Sequence, residues 1–115
     1  MSPRILSAAG LLFFVVGLPL AAQEKLTFER DVRPILKAHC FQCHGEEQKP
    51  EGELDVRLRR FLLTGGESGA AIVPGKPDES YLVDRIRSGE MPPGEGDAKK
   101  VPAKELALLE RWISE

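Results

Sequence analysis

Five consecutive residues, Cys40-Phe41-Gln42-Cys43-His44, constrain the fold more than any other feature of the sequence. They contain both cysteines of the chain and one of its two histidines. The pattern C-x-x-C-H is typical of the covalent attachment of a c-type haem. The spacing suits two thioethers to neighbouring vinyl groups, and the histidine that follows lies under the porphyrin. The motif therefore predicts one covalent haem c, attached at Cys40 and Cys43, with His44 as an iron ligand.

Three other interpretations of the motif are weaker. A disulfide or thioredoxin-like pair between Cys40 and Cys43 is sterically possible, but such a redox motif belongs near a βαβ unit, which the sequence does not indicate. A structural zinc site needs four ligands around the ion, and Cys40, Cys43, His44 and His39 are too close together in sequence to surround one. Two inert thiols are the third interpretation.

The second axial ligand of the iron is predicted to be Met91. It is the only methionine after residue 22, and it stands in an extended segment before Pro92 and Pro93. Apolar filling is the other interpretation of Met91, and His39 is the rival ligand, although it shares a helix end with His44. A neutral thioether favours ferrous iron and raises the reduction potential. The chain is therefore predicted to be a one-electron carrier and not an enzyme. The alternative is a peroxidase-like or gas-binding haem module with a displaceable Met91.

The first 22 residues have the layout of a secretory signal peptide. Arg4 is followed by an apolar stretch from Ile5 to Leu20, and Ala21-Ala22 supplies small residues for cleavage. The 18 residues from Ile5 to Ala22 are only just long enough to span a membrane, so an uncleaved anchor is the alternative. We predict a signal peptide over residues 1–22, one domain over residues 23–115, and export to the periplasm. A membrane association is expected only if the segment is not cleaved.

Composition limits the partners of this chain. Removing residues 1–22 from the 115 leaves 93 residues, and because Arg4 is lost the formal net charge changes from −2 to −3. An acidic domain is not expected to bind nucleic acid, which requires a basic face. Arg57, Arg59 and Arg60 are candidates for pairing with haem propionates, although a solvated basic face is the other interpretation. Lys99-Lys100 is a candidate docking patch for a redox partner, whose identity the sequence does not give, and an ordinary surface loop is the other interpretation.

Helical spacing of apolar residues predicts an all-α domain. Three main helices are expected over residues 28–39, 77–89 and 102–113, with one further helical turn over 59–63. The glycine- and proline-rich connections are long for a compact domain of this size unless another group fills its centre. The apolar residues that carry the helical spacing are Phe28, Val32, Ile35 and Leu36; Tyr81, Leu82 and Ile86; and Leu106, Leu109, Trp112 and Ile113.

Several longer strings resemble the planctomycete-type cytochrome c domains. The matching stretches are residues 28–36, 40–45, 65–69, 71–80, 90–93 and 109–113. The resemblance implies a class I cytochrome c-like fold wrapped around one haem, with Cys40 and Cys43 as thioethers and His44 and Met91 as axial ligands. Arg57 departs from the family, which tends to have an aspartate there. In the family such a domain usually begins a longer chain, so we expect either a monomeric carrier or a module of a larger protein.

Overall fold

Helices are the only regular secondary structure in the part of the chain that the structure describes. The structure is a computed structural model that describes residues 1, 3, 10–20, 23–96 and 99–115. Within these ranges there is no β-strand, and the only extended pairing is an isolated bridge between Gly66 and Gly69. The predicted all-α class is confirmed. The α-helices of these ranges are α1 (Arg33–His39), α2 (Arg59–Thr64), α3 (Tyr81–Arg87) and α4 (Ala103–Ser114).

The first predicted helix is present, but it begins as a wider turn. Residues Phe28–Val32 form a π-helical turn that leads directly into α1. Thr27 begins this turn, since its hydroxyl accepts the Arg30 N–H at 3.4 Å and its own N–H donates to the Asp31 carboxylate at 2.8 Å. These two hydrogen bonds satisfy backbone N–H groups that the start of a helix leaves without partners. Pro34 lies in the first turn of α1, where its missing N–H removes no helical hydrogen bond.

The second predicted helix begins later than the sequence indicates. Pro77–Glu79 is a separate 3₁₀ turn, and Ser80 has extended backbone angles before α3 starts at Tyr81. Ser80 is buried, and its hydroxyl accepts the Val73 N–H at 2.9 Å and donates to the Lys76 carbonyl at 2.9 Å. The start predicted at Pro77 was wrong because these two hydrogen bonds hold Ser80 against the preceding loop.

A single apolar core joins the helices. Helix α4 contacts the 28–32 turn, where the rings of Phe28 and Trp112 lie 5.7 Å apart, and it also packs on α3. No side chain caps the start of α4 at Pro102. The buried apolar residues are Phe28, Val32, Ile35, Leu36, Phe41, Val56, Leu62, Ala71, Ile72, Val83, Leu109 and Ile113.

The described part of the apolar N-terminal stretch, residues 10–20, makes no contribution to this core. The large apolar side chains between Leu11 and Leu20 are exposed. Arg4, Ile5 and the cleavage position after Ala22, on which the leader prediction depends, lie outside the described residues. Among the residues that the structure does describe, no helix combines the length and the apolar character needed to cross a bilayer.

Candidate functional site

The Cys40–His44 segment directly follows α1 and forms a hydrogen-bonded turn. The Cys40 N–H donates to the Leu36 carbonyl at 2.8 Å, and the His44 N–H donates to the Cys40 carbonyl at 3.0 Å. Phe41 is the anchor of the turn, because its ring is 3% exposed and lies in the core. The Arg33 guanidinium lies over that ring, 5.3 Å from its centre. The sequence-predicted attachment residues are therefore held by their own turn and by one buried aromatic side chain.

The two cysteines are free thiols in different surroundings. Both side chains are half-buried, but Cys40 packs against the core, whereas Cys43 does not. Burial raises the pKa of the Cys40 thiol to about 11, and the nearby Cys43 adds to the increase. Cys40 therefore stays protonated at neutral pH while the haem is absent.

This difference predicts unequal reactivity of the thiols in haem-free protein. Since the thiolate is the reacting form, we expect iodoacetamide to modify Cys40 at pH 8 roughly one to two orders of magnitude more slowly than an ordinary exposed thiol. The rate at Cys40 should keep rising with pH until the pH passes its pKa of about 11. Mass spectrometry of the alkylated peptides measures both rates, and concentrated urea should make them equal. Rapid modification of Cys40 in the folded protein would contradict the burial.

His44 is oriented by the segment that follows the next loop. Its Nδ1 lies 3.2 Å from the Leu54 carbonyl oxygen, and its backbone carbonyl accepts the Val56 N–H at 2.9 Å. Because a carbonyl only accepts, Nδ1 must carry the hydrogen of this bond, which leaves Nε2 with a free lone pair. A second partner that fixes the tautomer and ring direction in this way is typical of a metal-binding histidine.

Sequence analysis missed the group that orients His44, because it is a backbone carbonyl. The position of the Leu54 carbonyl depends on the absence of a side chain at Gly66. A methyl group at Gly66 would lie 2.9 Å from the Leu54 nitrogen and closer still to the Gly52 carbonyl oxygen. The Glu67 N–H donates to that same Gly52 oxygen at 2.9 Å. The second glycine of Gly65-Gly66 was the available sequence signal of a close backbone approach.

Substituting Gly66 should therefore disturb His44 from a distance. Gly66→Ala forces the backbone at Gly52 and Leu54 outward, and we expect a loss of about 1–3 kcal/mol in the free energy of unfolding, as overpacking usually costs. Denaturant unfolding measures this loss, and the NMR shifts of the His44 ring report its changed orientation. Gly52→Ala is the control for the close contact alone, since a methyl group there meets no atom within 4 Å. Its φ of +61° makes alanine strained, so this variant should also lose about 1–2 kcal/mol of stability, and only the ring shifts separate the two variants. Gly52→Ala should leave the His44 ring shifts unchanged, and equal ring shifts in the two variants would contradict the argument.

Met91 is positioned by the end of α3. Its N–H donates to the Arg85 carbonyl at 3.1 Å, and the Arg85 guanidinium forms an ion pair with Glu90. The Met91 side chain is 40% exposed. Among the described residues, no hydrogen bond joins Met91 to the Cys40–His44 turn. Met91 lies on the separate loop that follows α3.

His39, the rival ligand, is engaged elsewhere. Its Nε2 lies 3.0 Å from the Glu105 carboxylate, and this partly buried pair connects the end of α1 to the first turn of α4. Because α4 lacks a side-chain cap, this bond is one of the contacts that fix its start. His39 thus has a structural partner 66 residues away along the chain.

The donor atoms of the Cys40–His44 turn suit a metal that a porphyrin already binds, and not a bare ion. No group of three or more histidine, cysteine or acidic side chains suitable for a bare metal ion occurs among the described residues. The turn instead offers two thiols and one imidazole nitrogen, which suit a haem whose porphyrin supplies four nitrogens. Two surface cavities, of about 220 and 340 Å³, are lined by other residues.

Comparison with known proteins adds one finding. Residues 40–95 match the family model described as Planctomycete cytochrome C. The match includes the Cys40–His44 motif and Met91, but not the N- and C-terminal stretches at 28–36 and 109–113. Neither the curated proteins nor the solved structures give a significant match to the chain.

Proposed function

Because the chain carries a planctomycete-type cytochrome c domain, which implies haem c and electron transfer, we propose that it is an exported mono-haem electron carrier with histidine and methionine as axial ligands. The observation that supports this most directly is the orientation of His44. Its Nδ1 hydrogen bond to the Leu54 carbonyl leaves Nε2 free, within the same turn as the two unpaired cysteines. A carrier needs such a fixed ligand, since little should move when one electron is exchanged.

Each residue has a defined role in this proposal. Cys40 and Cys43 would hold the haem through two thioethers, each made by addition of a thiol S–H across one vinyl group, with sulfur on one carbon and hydrogen on the other. His44 would hold the iron through the Nε2 lone pair, and Met91 would hold it through a sulfur lone pair. When bound, the haem supplies an iron that alternates between the ferrous and ferric states. With both axial positions held by side chains, oxygen and peroxide have no open site, so we infer no enzymatic activity.

The cellular setting is also part of the proposal. We infer that residues 1–22 are a signal peptide and that residues 23–115 act in the periplasm. The expected partners are redox proteins, and we infer no nucleic-acid ligand for a domain of net charge −3. The carrier is either monomeric or a module of a longer chain.

The test is the absorption spectrum of protein secreted by cells that contain the bacterial haem-attachment machinery. We expect reduced c-type bands that survive acid-acetone extraction, with one haem per chain. The ferric protein should show the charge-transfer band of methionine-ligated iron. A colourless secreted protein with both thiols free, or joined to each other, would overturn the proposal.

A further inference from the structure

Arginine side chains converge on one side of the His44 turn. Arg33 of α1 and Arg57, just before α2, line the cavity of about 340 Å³ together with Leu58 and Phe61. The Arg60 guanidinium lies over the ring of Phe61, 4.9 Å from its centre. Arg33 and the segment 57–61, which are distant from each other along the chain, thus form a shallow apolar depression with guanidinium groups at its edge.

The second cavity also has positively charged residues in its lining. Arg59 lines the cavity of about 220 Å³ with Lys25, and Trp112 and Ile113 give that cavity apolar walls. Glu115 also lines it, so the second cavity is not purely basic. We call the surface formed by Arg33, Arg57, Arg59, Arg60 and Lys25 the arginine face.

Acidic neighbours neutralise only part of this face. Arg57 forms a close pair with Asp55, Nη2 to Oδ2 at 2.8 Å, and the hydrogen bond holds the pKa of Asp55 below its usual value. Arg33 has only a loose pair with Glu29, at 3.8 Å. Among the described residues, Arg59 and Arg60 form no ion pair. Asp55 and Glu46 raise the pKa of Arg57, and Glu115 lines the same cavity as Lys25, so four acidic groups stand beside the five cations. The positive charge that they leave over is centred on Arg59 and Arg60, although the whole chain has a net charge of −2.

The arginine face adjoins the candidate haem turn. The Val56 N–H donates to the His44 carbonyl, and Arg57 is the next residue. The Arg57 side chain packs so closely on Gly45 that a methyl group there would lie 2.7 Å from its Cγ and Cδ. A partner seated on this face would therefore contact the segment that holds the iron ligand.

We propose that the arginine face is the docking surface for an acidic patch on a redox partner protein. The inference rests on the proposed electron-carrier function and adds the chemistry of the partner. An anionic membrane is a less suitable occupant, because an extended negative surface would repel the net-negative domain as a whole. An acidic patch on a protein is small, and the Debye length is about 8–10 Å, so such a patch interacts with the arginine face and not with the acidic remainder of the domain. Complementary patches of this kind chiefly increase the association rate.

The first test measures the ionic-strength dependence of oxidation of the ferrous holoprotein by hexacyanoferrate(III). One electron passes from the haem to the anion, and no proton is transferred. Both reactants carry net negative charge, so added salt should speed up electron transfer if the anion approaches away from the arginine face. If the anion approaches at the arginine face, added salt should slow electron transfer, and this is the result that we expect. A wild-type rate that rises with salt overturns the proposal.

Charge-reversal variants test whether the arginine face causes this salt dependence. Arg59→Glu/Arg60→Glu should lower the rate at low salt about tenfold and invert its salt dependence. Lys99→Glu/Lys100→Glu makes the same charge change at the other exposed pair of adjacent cations. In this variant the rate should still fall as salt is added, as in the wild type. Inversion by the lysine pair alone would overturn the proposal. If the glutamate variant does not fold, as circular dichroism would show, Arg59→Gln/Arg60→Gln replaces it, with a smaller effect in the same direction.

A binding measurement separates this proposal from the electron-carrier function. Fluorescence anisotropy of a labelled hexaglutamate peptide should show binding to wild-type protein that weakens about tenfold in the arginine double variant and is unchanged in the lysine double variant. Equal binding by all three proteins, or tighter binding to phosphatidylglycerol vesicles than to the peptide, overturns the proposed partner. Absence of haem from the purified protein contradicts the carrier function instead, and the peptide measurement still tests the arginine face.

Discussion

Cys40→Ala/Cys43→Ala protein, secreted alongside the haem-attachment machinery, should retain no haem after acid-acetone extraction. A thioether needs a thiol, and no other cysteine exists in the chain. The remaining interactions, axial ligation by His44 and Met91 and apolar packing, are non-covalent and do not survive extraction. We expect complete loss of extraction-resistant haem, measured by the haem absorbance that remains with the protein.

The single variants are the matched controls for this experiment. Cys40→Ala and Cys43→Ala each keep one thiol, so each should hold some haem through one thioether, and its reduced bands should shift because one vinyl group remains unsaturated. Haem that resists extraction in the double variant would show attachment by another residue and would contradict the assignment. Extractable haem in both single variants would show that neither thiol suffices alone.

Met91→Ala should open the sixth coordination position of the iron. We expect the charge-transfer band of the ferric protein to disappear, the ferrous protein to bind carbon monoxide rapidly, and the reduction potential to fall on the order of 0.2 V, within the range that axial ligands span. The physical reason is the loss of a neutral sulfur ligand that favours ferrous iron. Absorption spectroscopy, carbon monoxide mixing and redox titration give the three measurements.

Two variants of the same loop serve as controls for Met91. Pro93→Ala keeps the thioether and should keep the band, while Met91→His keeps a sixth ligand and should exclude carbon monoxide despite the lost band. Rapid carbon monoxide binding by the wild-type ferrous protein would favour the alternative function, a peroxidase-like or gas-binding module. The 40% exposure of Met91 makes this the most informative single measurement on the loop.

Local chemistry explains which features the sequence could predict. The helical class follows from apolar spacing such as that of Phe28, Val32 and Leu36, all of which are buried. The Cys40–His44 turn was predictable because the attachment chemistry itself requires that spacing. The cytochrome c family, suggested by the same motif and by the strings around it, is confirmed over residues 40–95. The two axial ligands and the leader remain predictions.

The features that the sequence did not reveal depend on contacts between distant segments. Leu54 orients His44 through a carbonyl, a group that every residue has, so no side-chain pattern could indicate it. The pairing of His39 with Glu105 joins residues 66 positions apart and requires knowledge of how α1 meets α4. Ser80 interrupts the predicted helix because its hydroxyl bonds to the preceding loop, and such a preference is decided by tertiary packing and not by helix propensity.

The distribution of the core has a practical consequence for the boundaries of the folding unit. Of the twelve buried apolar residues in the described part of the chain, six belong to the 28–32 turn, α1 and α4, all of which lie outside the family match at 40–95. A fragment trimmed to the matched region would leave Phe41 and Val83 facing water and would lack both helices that the His39–Glu105 bond joins. Such a fragment should be insoluble or unfolded, so the shortest autonomous piece of this chain must extend beyond the matched region at both of its ends.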